Sequence, residues 1–314
     1  MIVDLFHECG VPREVLALCA GDGATVGAAL VADARTAGVA FTGSTAVARV
    51  IARSLLGSEE RRALAPLIAE TGGINVMIVD TTALPEQVVD SVITSTFRSA
   101  GQRCSALRLL CVHDATADLV IEMLRGALAV LVVGDPADPA TDVGPVIDAA
   151  ARIRIEKQIA ALAAKGRRVA RLDLPAGLAG DYVAPCIYEV DAVESVDEEI
   201  FGPVLQVVRW SGDVDALVDR INALGFGLTL GVQTRVDSRA ERITRGARVG
   251  NVYINRGMTG AVVGVQPFGG QGLSGTGPKA GGPHYLPRFC VEQTVTINTA
   301  AAGGNVALLT SIRQ

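Results

Sequence analysis

The stretch GVAFTGSTAVARVIARSLL, residues 38–56, decides the fold class. Its first five residues have the length and apolar character of a buried strand, Gly43 and Ser44 form a turn, and apolar residues then recur at helical spacing. Further strands are predicted at 75–79, 108–112, 204–209, 228–233 and 251–255, and further helices at 85–97, 117–131, 149–165, 214–224 and 238–245. This alternation predicts an α/β protein with a largely parallel sheet.

Composition excludes several classes of protein. The chain has 314 residues, of which 49% are hydrophobic and 19% charged, and this balance is typical of a globular chain. A net charge of −5 with scattered Lys and Arg argues against nucleic acid as a partner. Six cysteines without CxxC pairs and three histidines without ligand spacing predict no metal site. No apolar run approaches the ~20 residues that span a bilayer, and no signal peptide is evident, so we expect a cytoplasmic protein.

Cys104 is the candidate nucleophile. It lies in SAGQRCSA, residues 99–106, where small neighbours leave room around the sulfur. A reactive thiol needs such access, whereas a structural cysteine is usually a small buried apolar residue. The local sequence leaves both interpretations open. The other five cysteines lie among apolar residues and are interpreted as structural.

Glu70 is the candidate base. It follows an apolar segment, interpreted as a helix end, and precedes Thr71 and two glycines, where a tight turn could project the carboxylate into a cleft. The alternative is a solvated acid at a helix end.

Two segments could bind a dinucleotide. FTGST at 41–45 places backbone N–H groups and the Ser44 hydroxyl at a helix N-terminus, which favours a phosphate. Glu198 and Glu199 precede a turn, where a carboxylate could accept ribose hydroxyls or simply cap the turn. GDGATVG at 21–27 imitates a dinucleotide fingerprint, but its spacing is GxGxxxG, so these are interpreted as loop glycines.

Five segments in order resemble the motif set of the aldehyde dehydrogenase superfamily: FTGST at 41–45, ETGG at 70–73, GQRC at 101–104, EEIFGPV at 198–204 and PFGG at 267–270. Residues 99–108, 142–148 and 273–289 further resemble the L-glutamate γ-semialdehyde (1-pyrroline-5-carboxylate) dehydrogenase module of bifunctional proline utilization A proteins. The resemblance implies an aldehyde dehydrogenase-like fold with part of a Rossmann-like cofactor domain in 1–72 and an α/β catalytic domain in 73–266. Residues 267–314 would hold a substrate-anchor loop, a return to the cofactor domain and an oligomerisation strand at 294–298.

The resemblance also implies the chemical roles. Cys104 would form a thiohemiacetal and then a thioester, its backbone N–H would donate to the oxyanion, and Glu70 would activate the hydrolytic water. The reaction would be NAD-dependent oxidation of L-glutamate γ-semialdehyde to L-glutamate.

The cofactor and substrate contacts follow from the same resemblance. Gly43 and Ser44 would lie near the pyrophosphate of NAD, and Glu199 with Phe201 would hold the nicotinamide ribose and ring. The distal carboxylate of the aldehyde would be anchored by hydroxyl and backbone N–H donors, which form an anion-binding nest. These donors belong to Ser105, Ser274 and Gly275.

Two family motifs are not found in this sequence. They are a tryptophan-asparagine motif that supplies a second oxyanion donor and a lysine motif that binds the adenosine ribose. The sequence therefore resembles an N-terminally truncated enzyme, whose complete form we expect to be a homo-oligomer. The resemblance to proline utilization A proteins allows a proline dehydrogenase domain upstream. Two alternatives remain: an inactive remnant with a structural or assembly role, and a thiol acyltransferase or esterase that uses Cys104 without NAD.

Overall fold

Helices and strands alternate along the chain in the computed structural model, which describes residues 1–57, 59, 63–262 and 264–298. The α-helices are α1 (Ile2–Glu8), α2 (Ala28–Ala32), α3 (Thr45–Gly57), α4 (Pro85–Phe97), α5 (Asp114–Ala129), α6 (Ala149–Lys165), α7 (Val214–Ala223) and α8 (Asp237–Gly246). The strands are β1 (Val39–Thr42), β2 (Leu67–Glu70), β3 (Asn75–Val79), β4 (Leu107–His113), β5 (Arg167–Arg171), β6 (Cys186–Glu189), β7 (Val204–Trp210), β8 (Phe226–Gly227), β9 (Thr229–Gln233), β10 (Asn251–Ile254) and β11 (Gln271–Gly272).

A seven-stranded sheet forms the core, with strand order β10-β9-β3-β4-β7-β6-β5. All neighbouring strands are parallel except β5 and β6. Its central strands are apolar on both faces; every residue of β3, for example, is buried. A parallel sheet that is covered on both faces requires such continuous apolar strands. The predicted α/β class is confirmed.

A separate two-stranded parallel sheet pairs β1 with β2, so that Thr42 lies opposite Glu70. The glycine-rich stretch returns to this sheet, because Gly275 bridges to Glu70 and the backbone N–H of Thr276 donates to the carbonyl of Ala69 at 2.9 Å. The two sheets are joined by the turn after Glu70, where the sequence placed a domain boundary. The division into 1–72, 73–266 and 267–314 stays a prediction.

Two sequence interpretations are wrong. Glu70 ends a strand and not a helix, because Leu67–Glu70 pairs with β1. The glycines at 21–27 lie partly in a π-helical turn, Gly23–Gly27, which the Asp22 side chain caps by accepting from the Thr25 N–H. Residues 294–298 pair with no strand of the described residues, and a strand that pairs with another subunit there stays a prediction. Residues 299–314 lie outside the described residues.

Two features are absent from the described part of the chain. No helix there is long and apolar enough to cross a membrane. No group of three or more His, Cys, Asp or Glu side chains there could hold a metal ion.

Candidate active site

Cys104 lies in a loop whose backbone conformation is unusual. Between α4 and β4 the chain passes through Ser99, Ala100 and Gly101 with φ of 55°, 51° and 67°. Left-handed conformations of this kind cost about 1–3 kcal/mol at a residue with a side chain, so the surroundings must hold them. At Gly101 a Cβ atom would lie 2.1 Å from the carbonyl oxygen of Gly202, which leaves no room for any other residue. The nucleophile loop, residues 98–104, is therefore packed directly on the segment that contains Gly202.

Two buried side chains hold this loop. The Asn75 side-chain amide donates to the carbonyls of Cys104 at 2.6 Å and Ala106 at 2.8 Å, and its oxygen accepts from the backbone N–H of Thr229. The second is Arg108, which donates to the carbonyl of Gly101 at 2.7 Å. Sequence analysis missed both. The signal in each case is a polar residue at the start of an otherwise apolar strand, which must be satisfied when buried.

The thiol of Cys104 is half-buried and lines a cavity of about 1400 Å³. Burial raises its pKa above the ordinary value, and the carboxylates of Glu199 and Glu70 raise it further. Hydrogen bonding from the backbone N–H of Ser105 acts in the opposite direction and favours the thiolate. In this structure the protonated thiol is therefore the resting form.

Glu70 lies on the wall of the same cavity, at the C-terminal end of β2. Its Oε2 accepts from the backbone N–H of Gly270 at 3.0 Å, whereas its buried Oε1 has no partner among the described residues. Burial raises the pKa of Glu70 to about 7, against smaller lowering effects of the Gly270 N–H and the Lys279 ammonium. A carboxylate with a pKa near neutrality is suited to general-base catalysis. The close approach depends on Gly269, where a Cβ would lie 2.6 Å from Oε1.

The β1–α3 turn forms another wall of the cavity. Gly43 donates from its backbone N–H to the Glu70 carbonyl at 3.1 Å, and the Ser44 hydroxyl caps α3 by accepting from the Val47 N–H at 3.3 Å. At Gly43 a Cβ would lie 2.4 Å from the Phe41 ring. The first residues of this 13-residue helix thus line the cavity where a phosphate is expected from the sequence.

Glu199 and Phe201 also line the cavity, but the Glu199 carboxylate already has protein partners. Its Oε1 accepts from Nε and Nη2 of Arg108 at 3.3 and 3.1 Å, and its Oε2 accepts from the backbone N–H of Gly73 at 3.1 Å. Burial raises the pKa of Glu199, and the charge of Arg108 opposes this rise. The Phe201 ring stacks under the same guanidinium, with 5.2 Å from Cζ to the ring centroid.

The three predicted substrate-anchor residues are not brought together. Ser105 lines the cavity, but Ser274 and Gly275 do not. The Ser274 side chain is fully buried and accepts from the backbone N–H of Gly227 at 3.0 Å, because the segment around it pairs with β2. Residues further along the same glycine-rich stretch, Ala280 and Gly281, reach the cavity instead. A pattern of glycines alone does not indicate which part of such a stretch faces a site.

The chain matches one protein family over most of its length. The sequence model described as "Aldehyde dehydrogenase family" matches residues 1–295. The chain belongs to the aldehyde dehydrogenase family. The seven-stranded sheet, the nucleophile loop and the small parallel sheet are therefore parts of an aldehyde dehydrogenase fold.

Its relatives include proteins named proline utilization A and 1-pyrroline-5-carboxylate dehydrogenase. The chain is 52% identical over 295 residues to the bifunctional protein PutA of Klebsiella aerogenes, a match that covers 91% of this chain and 22% of that protein. It is 56% identical, with a TM-score of 0.89, to a crystal structure of a variant of proline utilization A (PutA) from Bradyrhizobium japonicum, covering 96% of this chain and 30% of that one. A Thermus 1-pyrroline-5-carboxylate dehydrogenase, crystallised with bound NAD, is 35% identical with a TM-score of 0.85 over 91% of this chain and 55% of its own. The chain thus spans about half the length of that dehydrogenase.

Proposed function

We propose that this chain carries the catalytic centre of an NAD-dependent dehydrogenase that oxidises L-glutamate γ-semialdehyde to L-glutamate. The observation that carries the proposal is the cavity wall on which a half-buried thiol, Cys104, and a carboxyl group with a pKa near 7, Glu70, both lie. The relatives named as proline utilization A and 1-pyrroline-5-carboxylate dehydrogenase support this choice of aldehyde.

Cys104 performs the first step. Its sulfur, as the thiolate, attacks the aldehyde carbon and forms a thiohemiacetal, whose oxygen carries the negative charge. The backbone N–H of Cys104 is the donor closest in the chain to that oxygen, and a fixed dipole stabilises such a charge better than mobile water does. Because burial favours the protonated thiol, the Cys104 thiol must transfer its proton to a base before or during the attack.

The cavity suits a dinucleotide. The β1–α3 turn offers backbone N–H groups to a pyrophosphate, and Gly43 keeps that turn free of a side chain. Phe201 presents an aromatic ring, and Glu199 presents a carboxylate for ribose hydroxyls while it stays paired with Arg108. NAD bound here would accept the hydride that leaves the thiohemiacetal carbon, which turns the adduct into a thioester on Cys104.

Glu70 performs the second step. Its carboxylate takes a proton from water as the water oxygen attacks the thioester carbon, and the Cys104 sulfur leaves as the product carboxylate forms. Oε1 is the oxygen for this task, because Oε2 is already held by the Gly270 N–H.

The distal carboxylate of the substrate would be held by neutral donors. Ser105 supplies a hydroxyl next to the nucleophile, and Gly281 lines the cavity where Ser274 and Gly275 were expected. The backbone N–H of Gly281 is the candidate donor, because the N–H of Ala280 already donates to the carbonyl of Phe268 at 2.8 Å. Backbone N–H groups of a glycine-rich turn can form an anion-binding nest without a formal positive charge.

A single protocol separates this proposal from its alternatives. NAD is titrated into the chain in a calorimeter, then the aldehyde is added and absorbance is followed at the reduced-nicotinamide band. The proposal expects binding followed by reduction, and Cys104→Ala should bind NAD but not reduce it. Binding without reduction, or neither, supports a structural remnant, whereas acylation of Cys104 without NAD binding supports a thiol acyltransferase or esterase.

A further inference from the structure

Arg108 occupies the point where three parts of the site meet. It is the second residue of β4, and its guanidinium is almost completely buried. Besides the carbonyl of Gly101, it donates to the carbonyls of Arg103 at 3.1 Å and Gly202 at 3.3 Å, and it makes two bonds to Glu199. All three of its nitrogens are thus used, which a lysine ammonium could not reproduce.

Glu199 extends this network to the base. Its Oε2 contacts the backbone of the turn that directly follows Glu70, and a Cβ at Gly72 would lie only 1.9 Å from it. The same oxygen accepts from the N–H of Gly73. The Glu199 carboxylate therefore connects the base turn, residues 70–74, to Arg108. Arg108 in turn connects Glu199 to the nucleophile loop.

We propose that the Arg108–Glu199 pair fixes the relative positions of three segments: the nucleophile loop, the turn after Glu70 and the segment that contains Glu199. The three segments are 98–104, 70–74 and 199–202, and they are distant in sequence. The left-handed residues of the nucleophile loop need an external partner, and the carbonyls of Gly101 and Arg103 receive it from Arg108. The negative charge of Glu199 also acts directly on the thiol and raises the pKa of Cys104.

Hydrogen exchange of the backbone amides in the free chain tests whether the pair holds the three segments, and it requires no catalytic activity. The first variant, Arg108→Lys, keeps the positive charge but loses the planar set of guanidinium donors. The second, Glu199→Gln, keeps the size of the side chain but loses its negative charge. The control is Arg242→Lys, because the Arg242 guanidinium pairs with two carboxylates, Asp213 and Asp215, on the exposed surface. The reporting amides, in Gly73, Gln102, Ala106 and Gly202, each donate a hydrogen bond within the three segments or beside them.

Arg108→Lys should accelerate exchange about fivefold or more in all three segments, while the amides of α6 stay as in the control. Glu199→Gln should accelerate exchange mainly in the base turn and its own segment, since the loop carbonyls keep Arg108. Acceleration confined to the nucleophile loop, or spread evenly over the chain, would overturn the proposal. If Arg108→Lys does not fold, the Glu199→Gln pattern decides alone.

Alkylation of Cys104 by iodoacetamide, followed by peptide mass spectrometry over a range of pH, gives a readout that a purely structural role would not move. The charged and titratable groups that act on this thiol are Glu70, Glu199, Arg108 and Tyr253. Glu199→Gln should move the alkylation midpoint to lower pH by about half a unit, roughly threefold in rate below the midpoint. Arg108→Lys should leave the midpoint near that of the wild type but lower the plateau rate.

An unchanged midpoint in Glu199→Gln would show that the carboxylate does not act on the thiol and would contradict the proposal. The inference rests on the roles proposed for Cys104 and Glu70, but both readouts are independent of NAD. If the dehydrogenase assay fails but the exchange and alkylation results are as predicted, the proposed function alone is refuted. If the chain is an active dehydrogenase but the exchange and alkylation results are not as predicted, the positioning role alone is refuted.

Discussion

Glu70→Gln should make the protein more stable at alkaline pH, because the wild-type carboxylate is desolvated when it ionises. The pKa of Glu70 rises from 4.5 to about 7 in the folded chain. Each unit is worth about 1.4 kcal/mol, so the upper limit of the effect is about 3.4 kcal/mol. Glu70 is only half-buried, and solvent screening should reduce the observable gain to about 1–2 kcal/mol.

The sign follows from proton linkage. A carboxyl group whose folded pKa is raised contributes stability that is fully present below the unfolded pKa, near 4.5, and is lost as pH rises through about 7. Glutamine does not titrate, so the variant and the wild type should be similar near pH 5 and separate by pH 8.

Urea unfolding at pH 5, 6, 7 and 8 measures this difference as the free energy of unfolding of each protein. The matched control is Glu122→Gln, which replaces an exposed carboxylate on α5 that pairs with Arg125. A difference between Glu70→Gln and wild type that is the same at every pH would refute the reasoning, as would a variant that is less stable at pH 8.

Three further predictions concern residues packed around Cys104 and Glu70. Gly101→Ala should destabilise the fold by more than about 2 kcal/mol in urea unfolding, since its Cβ would meet a carbonyl oxygen at 2.1 Å; wild-type stability would contradict the packing. Asn75→Leu should cost about 2–3 kcal/mol and change the alkylation rate of Cys104, because two carbonyls lose their donor; an unaltered rate would show that the loop does not need it. Lys279→Met should raise the pKa of Glu70 further, because the Lys279 ammonium lowers it. The acidic limb of the pH–rate profile of thioester hydrolysis should therefore move to higher pH, and a shift to lower pH would refute the assigned charge effect.

Much of the fold could be predicted from the sequence because its central strands and helices have clear periodicity. The strand at 75–79 and the helices at 85–97 and 149–165 have the predicted bounds. Short strands carry too few residues for a pattern, and β2, β5 and β6 were all missed. The error at Glu70 has the same origin: LIAE is too short to be distinguished from a helix end without knowledge of its partner, β1.

The site was predicted less evenly than the fold. Cys104, Glu70, Gly43, Ser44 and the Glu199 segment share one cavity, and the order of their motifs was the signal that singled them out. Their roles stay predictions. The arrangement around them could not be read, because it depends on contacts between residues far apart in sequence.

Arg108 illustrates the limit. In sequence it is one arginine at the start of an apolar strand, and only the folded chain brings Gly101, Gly202 and Glu199 around it. The predicted role of Ser274 required a hydroxyl that faces the substrate, but the fold buries this side chain completely, next to the Gly227 N–H and away from the residues that line the cavity.

Mass spectrometry of the Cys104 peptide tests the central claim most directly. Glu70→Gln is incubated with L-glutamate γ-semialdehyde, with and without NAD, and quenched in acid. Because hydrolysis should slow by about 10²- to 10⁴-fold without the base, the account predicts a γ-glutamyl thioester on Cys104 that accumulates only with NAD. Absence of this adduct, or reduction of NAD by Cys104→Ala at the wild-type rate, would contradict it.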